Sequence, residues 1–343
     1  MLKNKKILII GLGSMGKRRI RNLIFNGIER KNITGFDKAK KPRNEASKQY
    51  KIKTYSNFKD AYYKSNPDAV IISTPPNKHH QYFLKAARDK KHFFVETSTT
   101  DNGYHKLIPL IDNSFVAAPS CTMYYFSPIK KIKELIQKNI IGQIQAFTYH
   151  SGQYLPDWHP WEDYRYTYFS KKETGACREM LPYDLVWITD ITNSSVTKIG
   201  GITEKVSNLK IHSHDTYALF LKMKNGVVGT ILTETISRYP KKFIRLIGSE
   251  GIIEWDEYPN HLLSIYNTKS KKWKNIKIPT NKKEKNYVDS DDMYHKEIKA
   301  FLTAIDKKTN YPYTFKEFWS NLKVLKSLEK SNRTNRTIKI NLK

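Results

Sequence analysis

The stretch KILIIGLGSMG, Lys6 to Gly16, sets a G-x-G-x-x-G directly behind an apolar run and in front of a helical pattern. A glycine-rich turn that ends a strand and opens a helix suits a dinucleotide. Gly11 permits the tight turn, Gly13 lets backbone approach a pyrophosphate, and Gly16 lets the helix pack on the strand. In this reading Gly11, Leu12, Gly13, Ser14, Met15 and Gly16 form the cradle, with phosphates among the free amides of a helix N-terminus. The plainer alternative is a set of glycines serving only the turn.

The segments that follow fit the same scheme. Up to about Ala118, short apolar runs (ITGF, DAVIIST, HFFVE, FVAA) alternate with helical patterns near Met15 to Gly27, Asn57 to Ser65, Asn77 to Lys90 and Gly103 to Asn113. Such alternation predicts a doubly wound α/β domain with a parallel sheet covered on both faces. Asp37 closes ITGFD at the spacing where such a fold sets an acid against the adenosine ribose, which favours NAD. Lys38, Lys40, Lys41 and Arg43 follow at once and could neutralise a 2′-phosphate, so NADP stays open; a plain helix-capping aspartate is the other alternative.

SPIKKIKELIQKN, Ser127 to Asn139, reads as a helix with Ser127 as cap and Pro128 in the first turn, and is expected to bridge the two halves. Beyond Gly142 the pattern changes to QIQAFTYHSG, VTKIGGITE, DTYALFLKM, VVGTILTET, FIRLIG, GIIEW and LLSIY, with a hairpin signal at Lys224-Asn225-Gly226. We expect a large, mostly antiparallel open sheet, with helices near Cys177 to Thr192, Asp291 to Lys307 and Phe315 to Lys330. The expected domains are residues 1–122 and 123–343, with the last helices free to pack back on the first.

Composition narrows the function classes. Hydrophobic residues make up 39 % of the chain, enough for two cores in 343 residues, and no uncharged apolar run of membrane-spanning length occurs. The basic N-terminus meets glycines too soon for a secretory signal. Cys121 and Cys177 stand far apart, so neither a disulfide framework nor a metal knuckle is expected, and a cytoplasmic location is. The formal charge of +29 raises nucleic acid as a partner; but only 12 of the 61 basic residues are arginine, and the lysines are spread along the chain, so no specific nucleic-acid partner is expected. His212 and His214 read as one face of a strand, with no third ligand nearby, so no metal is expected.

STPPNKHHQYFLKAARDKKHFFVE, Ser73 to Glu96, carries a T-P-x-x-x-H stretch and ends a strand on an acid. With the glycine fingerprint, FSPIKKIKELI, GQI at Gly142 to Ile144, IRLIGSEGIIE and the late helix bearing Tyr294, Glu297 and Phe301, it resembles the Gfo/Idh/MocA oxidoreductases over nearly the whole chain. The resemblance implies a Rossmann domain plus an α/β domain whose open sheet often serves dimerisation, so a homo-oligomer, dimer or tetramer, is expected. It also implies that Thr74, Pro75, Pro76 and His79 line the cofactor and that Glu96 contacts the nicotinamide ribose.

Two departures from the family pattern bear on chemistry. The family's E-K-P, whose lysine is usually assigned the substrate proton, reads Glu96-Thr97-Ser98 here, and a threonine hydroxyl does not titrate usefully near neutrality. The helix that should carry an acid and a histidine reads GACREMLPYDLVWITD, with either Asp184 or Tyr183 at the histidine position. Either another constellation works, with Asp184 or Glu179 as base, Tyr183 as relay and Thr97 binding a hydroxyl, or the chain binds a dinucleotide without redox chemistry. YLPDWHPWEDYRYTY, too Pro-rich for a helix, offers Trp158, Trp161, Glu162 and Arg165 to a sugar ring and His159 as reserve acid or base; a packed aromatic loop or subunit contact is the alternative. The expected substrate is a small sugar or nucleotide-activated sugar.

Overall fold

A computed structural model describes residues 4–259, 261–278 and 291–341. The chain divides into two compact units, Met1–Thr122 with Asp292–Trp319, and Met123–Asp291 with Ser320–Lys343.

In the first unit β1 (Ile7–Ile10), α1 (Ser14–Phe25), β2 (Ile33–Phe36), α2 (Lys40–Tyr50), β3 (Lys53–Tyr55), α3 (Phe58–Ser65), β4 (Ala69–Ile72), α4 (His79–Arg88), β5 (His92–Val95), α5 (Tyr104–Leu107) and β6 (Ala117–Pro119) follow in order. The sheet runs β3-β2-β1-β4-β5-β6, all parallel. This order reverses direction beside β1, where open α/β sheets bind ligands outside the carboxyl ends of their strands. Ile7 to Ile10, Ala69 to Ile72 and Phe93 to Val95 are at most 1 % exposed, which is why these strands read as unbroken apolar runs.

The second unit contains α6 (Ser127–Gln137), β7 (Ile144–Gly152), α7 (Ala176–Ile191), β8 (Val196–Glu204), β9 (Thr216–Met223), β10 (Val228–Glu234), β11 (Lys241–Gly248), β12 (Gly251–Asp256), β13 (Leu262–Asn267) and β14 (Lys272–Lys277). The chain then forms α8 (Asp292–Lys307), in the first unit, α9 (Phe315–Thr334) and β15 (Ile338–Lys339). Thr314 and Glu317 form a reciprocal capping box at the start of α9. The second sheet runs β14-β13-β12-β11-β7-β10-β9-β8-β15 and is antiparallel throughout, apart from the parallel pair β7·β10. One face, carrying Phe147, Tyr149 and Ser151 of β7, is buried.

Several expectations need correction. The helix expected over Gly103 to Asn113 stops at Leu107 and tightens into a 3-10 turn, Ile108–Leu110, because Pro109 has no N–H to continue the ladder. Ser127 is the first residue of α6 rather than its cap, which is Phe126, and α6 belongs wholly to the second unit. His212 and His214 lie in the irregular segment before β9, not on a strand; His214 Nδ1 pairs with Thr203 Oγ1 at 2.9 Å. Helix α2 and strands β3, β14 and β15 come without expectation. Among the described residues no helix is long and apolar enough to cross a membrane, and no group of three or more His, Cys, Asp or Glu could hold a metal ion.

Candidate active site

The glycine-rich turn separates into parts with different duties. Gly11 adopts φ +93°, and a Cβ on it would meet the Ser73 carbonyl oxygen at 2.6 Å; one on Gly16 would meet the Gly11 carbonyl oxygen at 1.9 Å. The fold alone demands both glycines. Gly13 differs, since a Cβ there would meet nothing within 4 Å. Its bare backbone faces open space at the start of α1, a helix with no side-chain cap and no acid in its first turn. Such a terminus offers uncompensated amides to an anion, and Leu12, Ser14 and Met15 complete the turn around it.

Asp37, just beyond β2, is held in place by backbone. Its Oδ2 accepts from Leu12 N and its Oδ1 from Ala39 N, each at 2.8 Å. One lone pair on each oxygen stays available for a diol. Arg43, which the sequence left free for a phosphate, donates instead to the carbonyl oxygens of Asp37 (2.8 Å) and Lys38 (2.7 Å).

The loop after β4 is organised by His79. This residue is 1 % exposed; its Nε2 donates to the Thr74 carbonyl at 2.7 Å and its Nδ1 accepts from Ser98 Oγ at 2.9 Å. Burial pushes the imidazole down to about 4, so it is neutral and this tautomer fits. Both ring nitrogens are thus spent inside the protein, tying the β4 loop to the β5 loop. Thr74 Oγ1 is buried with no hydrogen-bond partner, an orphan that a ligand at this edge would satisfy. Pro75 is exposed, and Pro76 begins the short turn Pro76–Lys78.

Glu96 receives two parallel hydrogen bonds from Arg19, Nε to Oε1 at 2.6 Å and NH2 to Oε2 at 2.9 Å, and a longer one from Ser73 Oγ. Arg19 NH2 also reaches Glu297 Oε2 at 2.8 Å; both of those side chains are fully buried, whereas Glu96 keeps 13 % exposure. Burial pushes Glu297 up, but Ser120 Oγ, Cys121 N, Thr122 Oγ1 and Arg19 together supply four donors, which suits the carboxylate form. Thr97 and Ser98, at the expected Lys-Pro positions, are 8 % and 1 % exposed. Arg19 and Ser73 were not anticipated, and Glu297 was noted only for the resemblance.

In the second unit Asp184 is 1 % exposed on α7 and accepts from Tyr149 Oη at 2.8 Å and Trp187 Nε1 at 3.4 Å. Burial pushes its carboxyl up to about 6, against the pull of the Lys242 ammonium and those donors. Glu179 and Tyr183 stand one turn apart on the same helix, and Tyr168 Oη reaches Glu179 at 3.4 Å. The aromatic loop packs on a satellite core of Leu155, Phe169, Ala176, Leu209 and Ile211: Trp158 meets Phe169 edge-on at 4.9 Å. His159 stacks on Trp161 at 5.0 Å, with Nδ1 2.6 Å from Glu162 Oε1. Arg165 is engaged by Asp163. The loop is therefore a packed element, with Trp161 and Glu162 at its exposed rim.

Comparison with known proteins agrees with this geometry. The profile described as an oxidoreductase family with an NAD-binding Rossmann fold matches residues 5–97, and that of the GFO/IDH/MocA C-terminal domain matches residues 129–254. Among solved structures, an oxidoreductase from Agrobacterium radiobacter in complex with NAD+, L-tartaric acid and magnesium superposes with TM-score 0.86 at 14 % identity, covering 98 % of each chain. myo-Inositol 2-dehydrogenase from Lactobacillus plantarum gives 0.82 at 18 % over 99 % of this chain and 100 % of that one, and levoglucosan dehydrogenase with NADH gives 0.84 at 14 % over 98 % and 99 %. A curated relative, 2,7-anhydro-N-acetylneuraminate hydratase of Escherichia coli, is 22 % identical over 55 % of this chain and 51 % of its own length. The chain belongs to the Gfo/Idh/MocA family of oxidoreductases, with an NAD-binding Rossmann fold at its N-terminal side and that family's C-terminal domain after it.

Proposed function

We propose that this protein is an NAD(P)-dependent oxidoreductase, NAD being preferred, that interconverts a hydroxyl and a keto group on a sugar or nucleotide-activated sugar with an acid/base set of its own. The observation that carries the reading is the open space at Gly13 above the uncapped start of α1, beside an Asp37 already fixed on Leu12 N. Phosphates lie on the turn from Gly11 to Gly16, the adenosine ribose on Asp37, and the nicotinamide ribose on Glu96; Thr74, Pro75 and Pro76 flank it, and His79 fixes their loop from behind. The bound nicotinamide supplies the hydride acceptor. Two of the similar structures are dehydrogenases of a cyclitol and an anhydrosugar, which supports a polyol substrate. Asp184 stores the proton, with Glu179, Tyr183 and His159 as further acid/base groups, Thr97 as a hydrogen-bonding partner of a substrate hydroxyl, and Trp158, Trp161, Glu162 and Arg165 around the ring. The protein works in the cytoplasm as a dimer or tetramer.

Titration of the protein with NADH, followed by nicotinamide fluorescence, tests the reading at its base. No saturable binding at millimolar cofactor would end it. A second reading, a dinucleotide-binding protein without redox turnover, is favoured by the non-titrating Thr97 and the buried Asp184; it requires NADH binding with no absorbance change across sugars, and any cofactor-coupled turnover excludes it.

A further inference from the structure

Ser98 stands where the E-K-P pattern has its proline, a residue with no side-chain donor. It is 1 % exposed, and its Oγ lies 2.9 Å from His79 Nδ1. On the far side of the ring, Nε2 lies 2.7 Å from the Thr74 carbonyl oxygen. A carbonyl only accepts, so Nε2 carries the proton; in the neutral ring Nδ1 carries none, and Ser98 donates to it. The Thr74 peptide depends on this outside hold. Pro75 and Pro76 follow it without an N–H, so the loop cannot brace itself through backbone amides at either position. Thr74 also lies between two parts of the cofactor cradle, all within the first unit. On one side, a Cβ on Gly11 would stand 2.6 Å from the Ser73 carbonyl oxygen and 2.9 Å from Thr74 N. On the other, Ser73 Oγ reaches Glu96 Oε1 at 3.3 Å. Thr74 Oγ1 itself is buried with no hydrogen-bond partner, so the loop braced by Ser98 carries a polar atom that a ligand must satisfy.

The geometry points to Ser98 as a positioning residue for the dinucleotide: through His79 it sets the Thr74 peptide, so that Thr74 Oγ1 meets the cofactor where its second phosphate joins the nicotinamide ribose. The inference rests on the dinucleotide-binding part of the reading above and is independent of the sugar and of the acid/base set. Thr74 is the residue that touches the cofactor, and Ser98 and His79 act through it. The place of contact follows from the two flanks. Phosphates lie on the turn that begins at Gly11, Glu96 takes a ribose diol, and Thr74 is the peptide between them. Its hydroxyl donates to a phosphate or ribose oxygen there. The departure at position 98 thus serves binding, whereas the one at position 97 bears on the chemistry.

Titration of the intact protein with NADH, ADP-ribose and AMP tests this role. Ser98→Ala should weaken NADH and ADP-ribose at least about fivefold, the scale of one net hydrogen bond. AMP, which ends at the adenosine-side phosphate, should bind as before. Thr74→Val, similar in shape but without the hydroxyl, should weaken the same two ligands by as much. Adding Ser98→Ala to Thr74→Val should then cost less than about a further twofold, because Ser98 works only through that hydroxyl. Should Ser98→Ala fail to fold, Ser98→Cys, which fills the site with a weak donor, takes its place. Nitrogen NMR of His79 in the unliganded wild type should show a neutral ring protonated at Nε2, a readout that needs no cofactor. A proton on Nδ1, unchanged NADH affinity in the Ser98 variant, equal weakening of AMP, or additive losses in the double variant overturns the positioning role and leaves the dinucleotide reading intact. Wild type that shows no saturable binding at millimolar NADH overturns both.

Discussion

Arg19 and Glu96 meet through two parallel hydrogen bonds of 2.6 and 2.9 Å, with the guanidinium fully buried and shared with Glu297. One cation thus faces two carboxylates in the interior of the first unit, braced by the Phe94 ring 4.6 Å away. Removing it strands both. Breaking a buried pair by deleting one partner typically costs about 3–5 kcal/mol, so Arg19→Met should lose stability on that scale in urea unfolding. Glu297→Gln keeps an acceptor for the surrounding donors and should lose less. An Arg19→Met protein as stable as wild type would show that the network carries no net weight.

The same pair predicts a binding asymmetry. Arg19→Lys keeps the charge but cannot make the two-pronged contact that orients Glu96. If Glu96 holds the nicotinamide ribose, NADH should bind at least about fivefold more weakly to the variant, while ADP, which lacks that ribose, binds as before. Equal weakening of both ligands would point to a general structural loss.

Gly13 and Gly16 should respond in opposite ways to one methyl group. Gly16→Ala drives a Cβ to within 1.9 Å of the Gly11 carbonyl oxygen and should cost about 1–3 kcal/mol of stability, as overpacking does. Gly13→Ala meets nothing in the protein and should unfold within about 0.5 kcal/mol of wild type, as surface substitutions do. Its NADH affinity should nevertheless fall at least about tenfold, because the added methyl occupies the space through which backbone meets the phosphates. Unchanged affinity would remove the glycine turn from the binding site.

The local features of this site are legible in the chain, and the long-range ones are not. A strand, three spaced glycines and an acid at the end of the next strand mark their positions, because backbone geometry and spacing fix the residue types. Arg19 lies in the run KRRIR, which reads as basic surface; its burial depends on Glu96 and Glu297, and pairing across the fold leaves no periodic trace. Helix α2, KKPRNEASKQY, escaped notice because only Ala46 and Tyr50 are buried, too few to set a period, and β14 exposes nearly every residue.

Cofactor preference follows from Asp37 and Arg43. The carboxylate should repel a 2′-phosphate, and Arg43 is already committed to the carbonyl oxygens of residues 37 and 38. NADPH should therefore bind at least about tenfold more weakly than NADH, a discrimination built on like charge. Asp37→Asn should narrow the ratio, whereas Arg43→Ala should leave it in place. Loss of residual NADPH binding in Arg43→Ala alone would reassign that side chain to the phosphate.

The last prediction concerns pH. Burial raises Asp184 from 3.8 to about 6. A carboxyl whose folded value lies above its unfolded one favours folding when protonated. That contribution is complete below 3.8 and is lost as pH rises through 6. Between pH 7 and pH 5 wild type should accordingly gain about 1 kcal/mol of stability relative to Asp184→Asn, which keeps the acceptor for Tyr149 but binds no proton. His79, pushed down to about 4 by burial, works the other way, losing stability as pH falls from 6.5 towards 4. It is common to both proteins and cancels in the difference. Urea unfolding of the pair at the two pH values measures it directly, and parallel pH responses would mean that Asp184 is not the proton store assigned to it.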